Sequence, residues 1–451
     1  MTQRTIARIR GPKATALVQR LQWVADPLQY MDTWGKQHPD IFATQVTGNT
    51  MIFVNHPQIL QELLTRDTRD FEAPGRVNQI LQPLLGEQSL ILLEGDRHRQ
   101  QRKLLMPPFH GDRMRNYGEL ICDVTQKVTS RWHENEVFVA RDAMQEVSLM
   151  VILQAVFGIY SGERYDLLKR SIASMLSVTN SPLSSSLLFF SFLQQDLGSW
   201  SPWGRFLRQR QQIDQLLFTE IAERRQHPDE DRTDILSLMM AARDEQGQPM
   251  RDEELRDELL TLLFAGHETT ATALAWTLYW VHRQPEVYGT LMQELDSLGP
   301  DADPMAIFRL PYLTAVCQET LRIYPVGMLT FPRVAKRVTE LAGYRVTTGD
   351  TLVGCIYLTH RRPDLYPEPR RFKPERFMER KFSPYEYLPF GAGARQCIGM
   401  ALAQYEMKLA LATILMNYQL ALAEKHPVKA ARRGVTLSPL GGVRMKMIGR
   451  R

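Results

Sequence analysis

Phe390-Gly391-Ala392-Gly393-Ala394-Arg395-Gln396-Cys397-Ile398-Gly399 sets one cysteine in a glycine-rich loop, directly ahead of an apolar, helix-patterned run from Met400 to Tyr418. A thiol at that place meets the open N–H groups and the positive end of a helix, and both favour the thiolate. The other three cysteines, Cys122, Cys317 and Cys355, lie far from it in sequence. A structural zinc or an iron–sulfur cluster needs about four N/S ligands, so a lone thiolate cannot by itself hold either. Gly391 and Gly393 permit the positive φ of a tight turn.

Outward from this loop, the composition narrows the classes available. The chain has 451 residues, 44% of them apolar, with no low-complexity tract, repeat or linker. A single continuous domain over residues 1–451 is expected, with about the first 30 forming an N-terminal arm. A net charge of +5, with no basic tail and no zinc-finger spacing, argues against nucleic acid as a partner. Four scattered cysteines point to a reducing compartment without a disulfide framework. Met1 to Arg20 carries Arg4, Arg8, Arg10, Lys13 and Arg20 but no apolar run of signal-peptide length. No transmembrane anchor and a cytoplasmic location are the corresponding expectations. Leu259 to Val281 is almost continuously apolar, yet His267-Glu268-Thr269-Thr270 sits near its middle. A free acid at bilayer depth is costly, so a buried helix with a polar centre fits better.

Phe42 to Val46 and Met51 to Val54 alternate as strands about Gly48-Asn49, and Asp96 to about Gln293 is mainly helical in period. Arg337 to Ile356 returns to strands with a turn at Thr347-Thr348-Gly349-Asp350. Pro363, Pro367, Pro369 and Pro374 then forbid a regular helix, and the last stretch alternates again through Leu437 to Gly442. A mainly α fold with small, dispersed β-sheets follows.

A single thiolate can serve as the proximal ligand of a haem. The opening decapeptide resembles the haem-thiolate loop of cytochrome P450 monooxygenases, Phe-x-x-Gly-x-Arg-x-Cys-x-Gly, at each fixed position. The resemblance implies the cytochrome P450 fold from roughly residue 30 to the end, haem b as cofactor and Cys397 as the iron ligand. Phe390 is then expected to shield the sulfur, Gly393 to shape the turn, and Gly399 to let the helix approach the ring. Arg395 is expected to pair with a haem propionate, since a guanidinium forks onto a carboxylate.

Other segments carry the same resemblance. Ala265-Gly266-His267-Glu268-Thr269-Thr270 is similar to the distal helix segment of the family. There Gly266 would let the helix pass close to the oxygen, Thr269 would offer its hydroxyl, and Glu268 would feed protons through water as a buried acid. Taken alone, such a threonine pair fits back-bonding to carbonyls equally well. Glu319-Thr320-Leu321-Arg322 resembles Glu-x-x-Arg, and Pro374-Glu375-Arg376-Phe377 resembles the later Pro-Glu-Arg-Phe, implying a structural network of Glu319, Arg322 and Arg376. Gly95 to Arg102 is similar to Trp-x-x-x-Arg with His98 in the tryptophan place, and His98, Arg102 and Arg333 are expected at the propionates.

The substrate pocket is expected from Phe71–Leu93, Met175–Phe192, Leu259–Ala265, Val326–Phe331 and Leu437–Gly442, with Ala265, Val326, Leu329 and Leu440 named within it. Leu187 to Phe192, followed by Trp200 and Trp203, reads as an access lid, a shallow membrane dip or a cap on the core. Arg76 is a thin basis for a carboxylate anchor. The pattern looks closer to the fatty-acid-hydroxylating branches of the family than to those acting on compact polyketides, so a long-chain fatty acid is the expected substrate, with terpenes and retinoid-like lipids alongside. O2 is the implied cosubstrate. Electrons would come ultimately from NAD(P)H through a separate ferredoxin or flavodoxin and its reductase, with the chain acting as a monomer. Arg361, Arg362, Arg370, Arg371, Lys373, Arg380 and Lys381 are the candidate docking charges. A peroxide-using peroxygenase or isomerase, and a non-catalytic haem sensor, are the competing readings.

Overall fold

The structure is a computed structural model and describes residues 9–46, 50–66, 69–109, 115–176, 194–229, 231–299 and 302–451. The chain packs as two compact units. The first comprises Met1–Pro74, Gln318–Cys397 and Ala430–Leu437, and the second Gly75–Cys317, Ile398–Lys429 and Ser438–Arg451.

A five-stranded sheet organises the first unit. Ile41–Thr44 runs antiparallel to Met51–Val54, with Ile41 opposite Val54. Met51–Val54 then pairs parallel with Thr351–Gly354, and Arg333–Ala335 and Phe71–Glu72 complete the sheet. Successive side chains of a strand point to opposite faces. Ile52, Val54 and Leu352 accordingly join one buried cluster with Leu60 and Phe71, while Phe53 and Val353 join another with Met31, Phe42 and Tyr357. Both faces are covered, as mixed sheets with parallel pairs require. The alternating strands expected at 42–46 and 51–54 are present, the first ending at Thr44; the Gly48-Asn49 turn lies outside the described residues. The turn at 347–350 forms around the Asp350 carboxylate, which accepts from the Thr347 N–H at 2.8 Å, with Gly349 at φ +88°.

The proline-rich stretch after His360 has little regular structure and is held by one buried carboxylate instead. Glu319 and Arg322 have no exposed side-chain area, and the Arg322 guanidinium forks onto Glu319 at 2.6 and 2.8 Å. The same carboxylate accepts from the Lys373 N–H at 2.8 Å and from Arg376 at 3.2 Å. Arg322 also donates to the carbonyls of His360 and Pro369, both at 2.8 Å, and Arg376 donates to that of Pro367 at 3.1 Å. Glu319, Arg322 and Arg376 thus meet as one network, binding the helix Pro311–Ile323 to backbone that has no ladder of its own.

The second unit is helical around Asp252–Arg283, a 32-residue helix. Asp252, Glu253 and Glu254 lie in its first turn and Arg283 in its last, each sign complementing the helix dipole, while burial pushes His282 down to about 4 and keeps it neutral. Pro285 stops it, because the residue before proline disfavours helical backbone. It packs against Ala140–Phe157, which is buried over most of its length. Among the described residues from Asp96 to Gln293 most are helical, as the period predicts, with loops between the helices and one short strand. Val137–Val139 is a strand, recruited by Arg444–Arg450 with Arg444 opposite Val139, and no local pattern in a three-residue edge announces that partner. No helix among the described residues is long and apolar enough to cross a membrane.

Removing the Glu319 carboxylate leaves two buried guanidiniums without their counter-charge, at a cost of roughly 3–5 kcal/mol. Glu319→Ala is expected to lower unfolding stability by that amount in urea titrations, and a loss under about 1 kcal/mol would contradict the network's role.

Candidate functional site

In the first unit the cysteine loop is built by its glycines. Gly391 and Gly393 adopt φ of +68° and +73°, a region that a side chain would strain. The turn closes when the Cys397 N–H donates to the Phe390 carbonyl at 2.9 Å. Cys397 is exposed, whereas Cys317 and Cys355 are buried and desolvation pushes their thiols up to about 12. Cys122 is half-buried, and burial raises its thiol too. Cys397 is therefore the open thiol, two residues before Gly399, which caps the 18-residue helix Met400–Asn417. A Cβ added to Gly399 would meet nothing within 4 Å, so the space beside that helix start is clear.

Two arginines attach to the loop. Arg333 is buried and donates to the Phe331 carbonyl at 2.7 Å and to that of Ala392, inside the loop, at 3.4 Å. Arg395 donates to the Ala73 carbonyl at 2.6 Å with its guanidinium 4.5 Å from the Phe331 ring centre. Val326 and Leu329 are half-buried; the Val326 carbonyl accepts from the Leu437 N–H at 2.8 Å, and Leu329 packs on the second core cluster. An exposed thiol at a helix start, clear space beside it and guanidiniums on the same loop suit a flat, thiolate-ligated, carboxylate-bearing macrocycle.

In the second unit, His98 is buried and Arg102 half-buried on the helix Gly95–Leu105. Asp252–Arg283 is buried along most of its length but opens on one strip, with Ala265 exposed and Leu262, Gly266 and Thr269 partly so. Spacings of three and four put these four on one helical face. The Thr269 hydroxyl donates to the Ala265 carbonyl at 2.5 Å, which is the back-bonding alternative. A Cβ at Gly266 would lie 2.4 Å from Ile152 Cδ1, so its missing side chain lets the helix pack closely on its neighbour there. Leu440 is exposed in the turn after Thr436–Pro439.

The Glu268 carboxylate is not a lone buried acid. Arg141, 2% exposed, meets it at 2.5 Å, and the Gln145 amide donates to its second oxygen at 3.3 Å. Arg141 sits 127 residues away in sequence, in a helix whose pattern gives no reason to single it out. Burial, and then the Arg141 charge, push the neighbouring His267 down to about 4. Glu406 is buried with its acid raised to about 8 by desolvation, and the Ser148 beside it donates to the Gly266 carbonyl at 3.3 Å.

Other expected charges are already engaged. Arg76 pairs with Glu94 at 3.3 Å, which competes with any substrate carboxylate. Arg362 binds Asp40 and Asp364, Arg370 binds Asp32, Arg371 binds Glu368, Lys373 binds Glu379, and Arg380 binds Glu386. Arg361 is turned inward, donating to the Ile323 carbonyl. Leu187–Phe192 lies outside the described residues; of the tryptophans after it, Trp200 is exposed and Trp203 buried.

The cytochrome P450 family pattern matches residues 9–443. The chain belongs to the cytochrome P450 family. A protein named as cytochrome P450 135B1 of Mycobacterium tuberculosis is 34% identical over 97% of this chain and 90% of its own length. One named as cytochrome P450 138 of Mycobacterium bovis is 32% identical over 97% and 95%. Among solved structures, the P450DA heme domain superposes with a TM-score of 0.85, at 25% identity, over 99% of this chain and 98% of that one. The retinoic acid bound cyanobacterial CYP120A1 gives 0.79, also at 25% identity, over 94% and 93%. The cytochrome P450 fold and the general activity of a haem-thiolate monooxygenase, using haem iron and O2, stand on these matches.

His267 gives this P450 a pH-dependent stability. The unfolded chain takes up a proton near pH 6.5 but the folded one only near pH 4, so stability falls as pH drops below about 6.5. Relative to His267→Gln, the wild type is expected to lose about 2 kcal/mol between pH 7 and pH 5 in paired denaturation curves; parallel curves would refute the shift.

Proposed function

We propose that this cytochrome P450 hydroxylates or epoxidises an elongated lipophilic substrate, a long-chain fatty acid or a terpenoid or retinoid-like chain. The observation that carries the reading is the open strip of Leu262, Ala265 and Thr269 on a helix buried over most of its length. Small and apolar side chains there leave room for a hydrocarbon and fix no polar scaffold. Likeness to a P450 with retinoic acid bound supports a long, conjugated or acyl shape. Ala265, Val326, Leu329 and Leu440 are the proposed pocket contacts.

In this reading Cys397 ligates the haem iron, with Phe390 shielding the sulfur and Gly393 and Gly399 giving loop and helix their clearance. Arg395, Arg333, His98 and Arg102 hold the propionates. Bound haem supplies the reducible iron that activates O2 and inserts one oxygen atom into a C–H bond or double bond. The chain's own residues govern protons and water. The helix start at Met400 favours the anionic sulfur of Cys397. Arg141 and Gln145 hold the Glu268 carboxylate by both oxygens, so a proton carried by Glu268 must enter on the side away from that pair. Thr269 keeps its proton on the Ala265 carbonyl and presents its oxygen lone pair as an acceptor. Electrons are proposed to pass from NAD(P)H through a separate ferredoxin or flavodoxin to a monomeric enzyme. With the 361–381 charges largely paired internally, docking rests on shape as much as on charge.

Optical titration of the ferric enzyme with saturated and unsaturated fatty acids and with retinoic acid tests the substrate class. A saturable low- to high-spin shift is expected. No shift, with the reduced carbon-monoxide spectrum intact, would overturn the acid and redirect the search to neutral terpenoids. Arg141→Ala is expected to lower product formed per O2 consumed by about tenfold, with Arg141→Lys restoring part of it. An unchanged ratio would remove Arg141 from proton handling.

A further inference from the structure

The helix Ala16–Ala25 has its polarity reversed. Its inward face is held by a glutamine: Gln19 is 3% exposed, and its amide oxygen accepts from Tyr30 at 3.1 Å, Thr44 at 3.0 Å and the Gln45 N–H at 2.9 Å. Its amide nitrogen donates to the Ala14 carbonyl at 2.8 Å. Trp23 adds an edge contact to Phe53, ring centres 5.6 Å apart. The outward face carries Leu17, Leu21 and Val24, exposed by 66%, 62% and 66%, with Val18 beside them. Spacings of four and three place those three in one stripe along the helix. Surface helices ordinarily bury their apolar stripe and wet their polar one. Among the described residues of the first unit none covers these side chains, which stay exposed.

The surrounding charge says what kind of surface suits them. The first 25 residues hold five basic residues and no acidic one, as much positive charge as the net +5 of the whole chain. Arg10, Lys13 and Arg20 are exposed around the stripe. A second copy docked on it would bring like charges together. A protein partner needs about 800 Å² on each side, more than a ten-residue stripe offers. A lipid surface needs no shape match, takes apolar side chains into the acyl boundary and rewards a basic rim when its headgroups are anionic.

We propose that the outward stripe Leu17–Leu21–Val24, rimmed by Arg10, Lys13 and Arg20, is a peripheral docking surface for an anionic lipid bilayer. The helix lies in the plane of the interface and remains packed through Gln19 and Trp23. The surface needs no haem and no turnover, so it stands or falls apart from the substrate assignment.

The test is flotation of the full-length holoenzyme with vesicles of equimolar phosphatidylcholine and phosphatidylglycerol, and with phosphatidylcholine alone. Binding is expected to the anionic vesicles, weaker to the neutral ones, and reduced at about 0.5 M salt, where the Debye length shrinks to a few ångströms. L17S/L21S/V24S should lower the partition coefficient by about tenfold or more with an unchanged melting temperature, because the three positions are exposed. R10E/K13E/R20E should lower it on anionic vesicles only. No binding of wild type to either vesicle, undiminished binding of the serine variant, or equal binding to both lipids would overturn the proposal. So would a wild-type dimer that the serine variant converts to monomer, since a second copy would then cover the stripe.

Discussion

One carboxylate with no exposed surface, that of Glu319, organises the stretch that ends in the cysteine loop. Residues 360–390 are rich in proline and poor in ladders, so their backbone groups need partners from elsewhere. Arg322 and Arg376 donate to the carbonyls of His360, Pro367, Pro369 and Arg371. Two buried guanidiniums are tolerable only because Glu319 accepts from both and from the Lys373 N–H. His360 extends the chain of contacts. Burial pushes its pKa down to about 3, so its neutral Nε2 accepts from the Leu388 N–H at 3.0 Å, two residues before Phe390. The loop's position thus traces back, bond by bond, to the two oxygens of one carboxylate.

The sequence exposed this part of the protein well, because the motif residues are local or bring their own chemistry. Gly391 and Gly393 need positive φ, Cys397 needs a helix behind it, and Glu319 and Arg322 share a helical face; each is legible from spacing. The close packing of Gly266 on Ile152 was not legible, since a glycine in a helix does not announce which neighbour approaches it. Arg141 was equally silent. Its partner lies far along the chain, and an arginine on a buried helix face looks like any other until the facing helix is in place. The pairing of the basic run 361–381 was hidden for the opposite reason: its counter-charges Asp32, Asp40, Asp364, Glu368, Glu379 and Glu386 are brought to it by folding and by local turns.

The long helix shows how the second unit manages titratable groups in an apolar setting. Charged forms are disfavoured there, so an isolated group shifts towards neutrality. His267 goes down to about 4 and Glu406 up to about 8, both by burial first. At neutral pH each is largely uncharged, whereas the Glu268 carboxylate next to His267 is held by the Arg141 guanidinium at 2.5 Å.

Thr269 completes that logic. A hydroxyl in a helix interior has one proton to give, and here it goes to the Ala265 carbonyl one turn back at 2.5 Å. That bond keeps the open strip regular and leaves the oxygen's lone pairs facing away from the carbonyl. A single neutral hydrogen bond contributes only about 1 kcal/mol net, so releasing the carbonyl to donate elsewhere is a small step. Breaking the Arg141–Glu268 contact costs more, because it strands a buried guanidinium. The cheaper of two polar rearrangements on one helix therefore belongs to the alcohol, and the Arg141–Glu268 contact beside it is the harder to break.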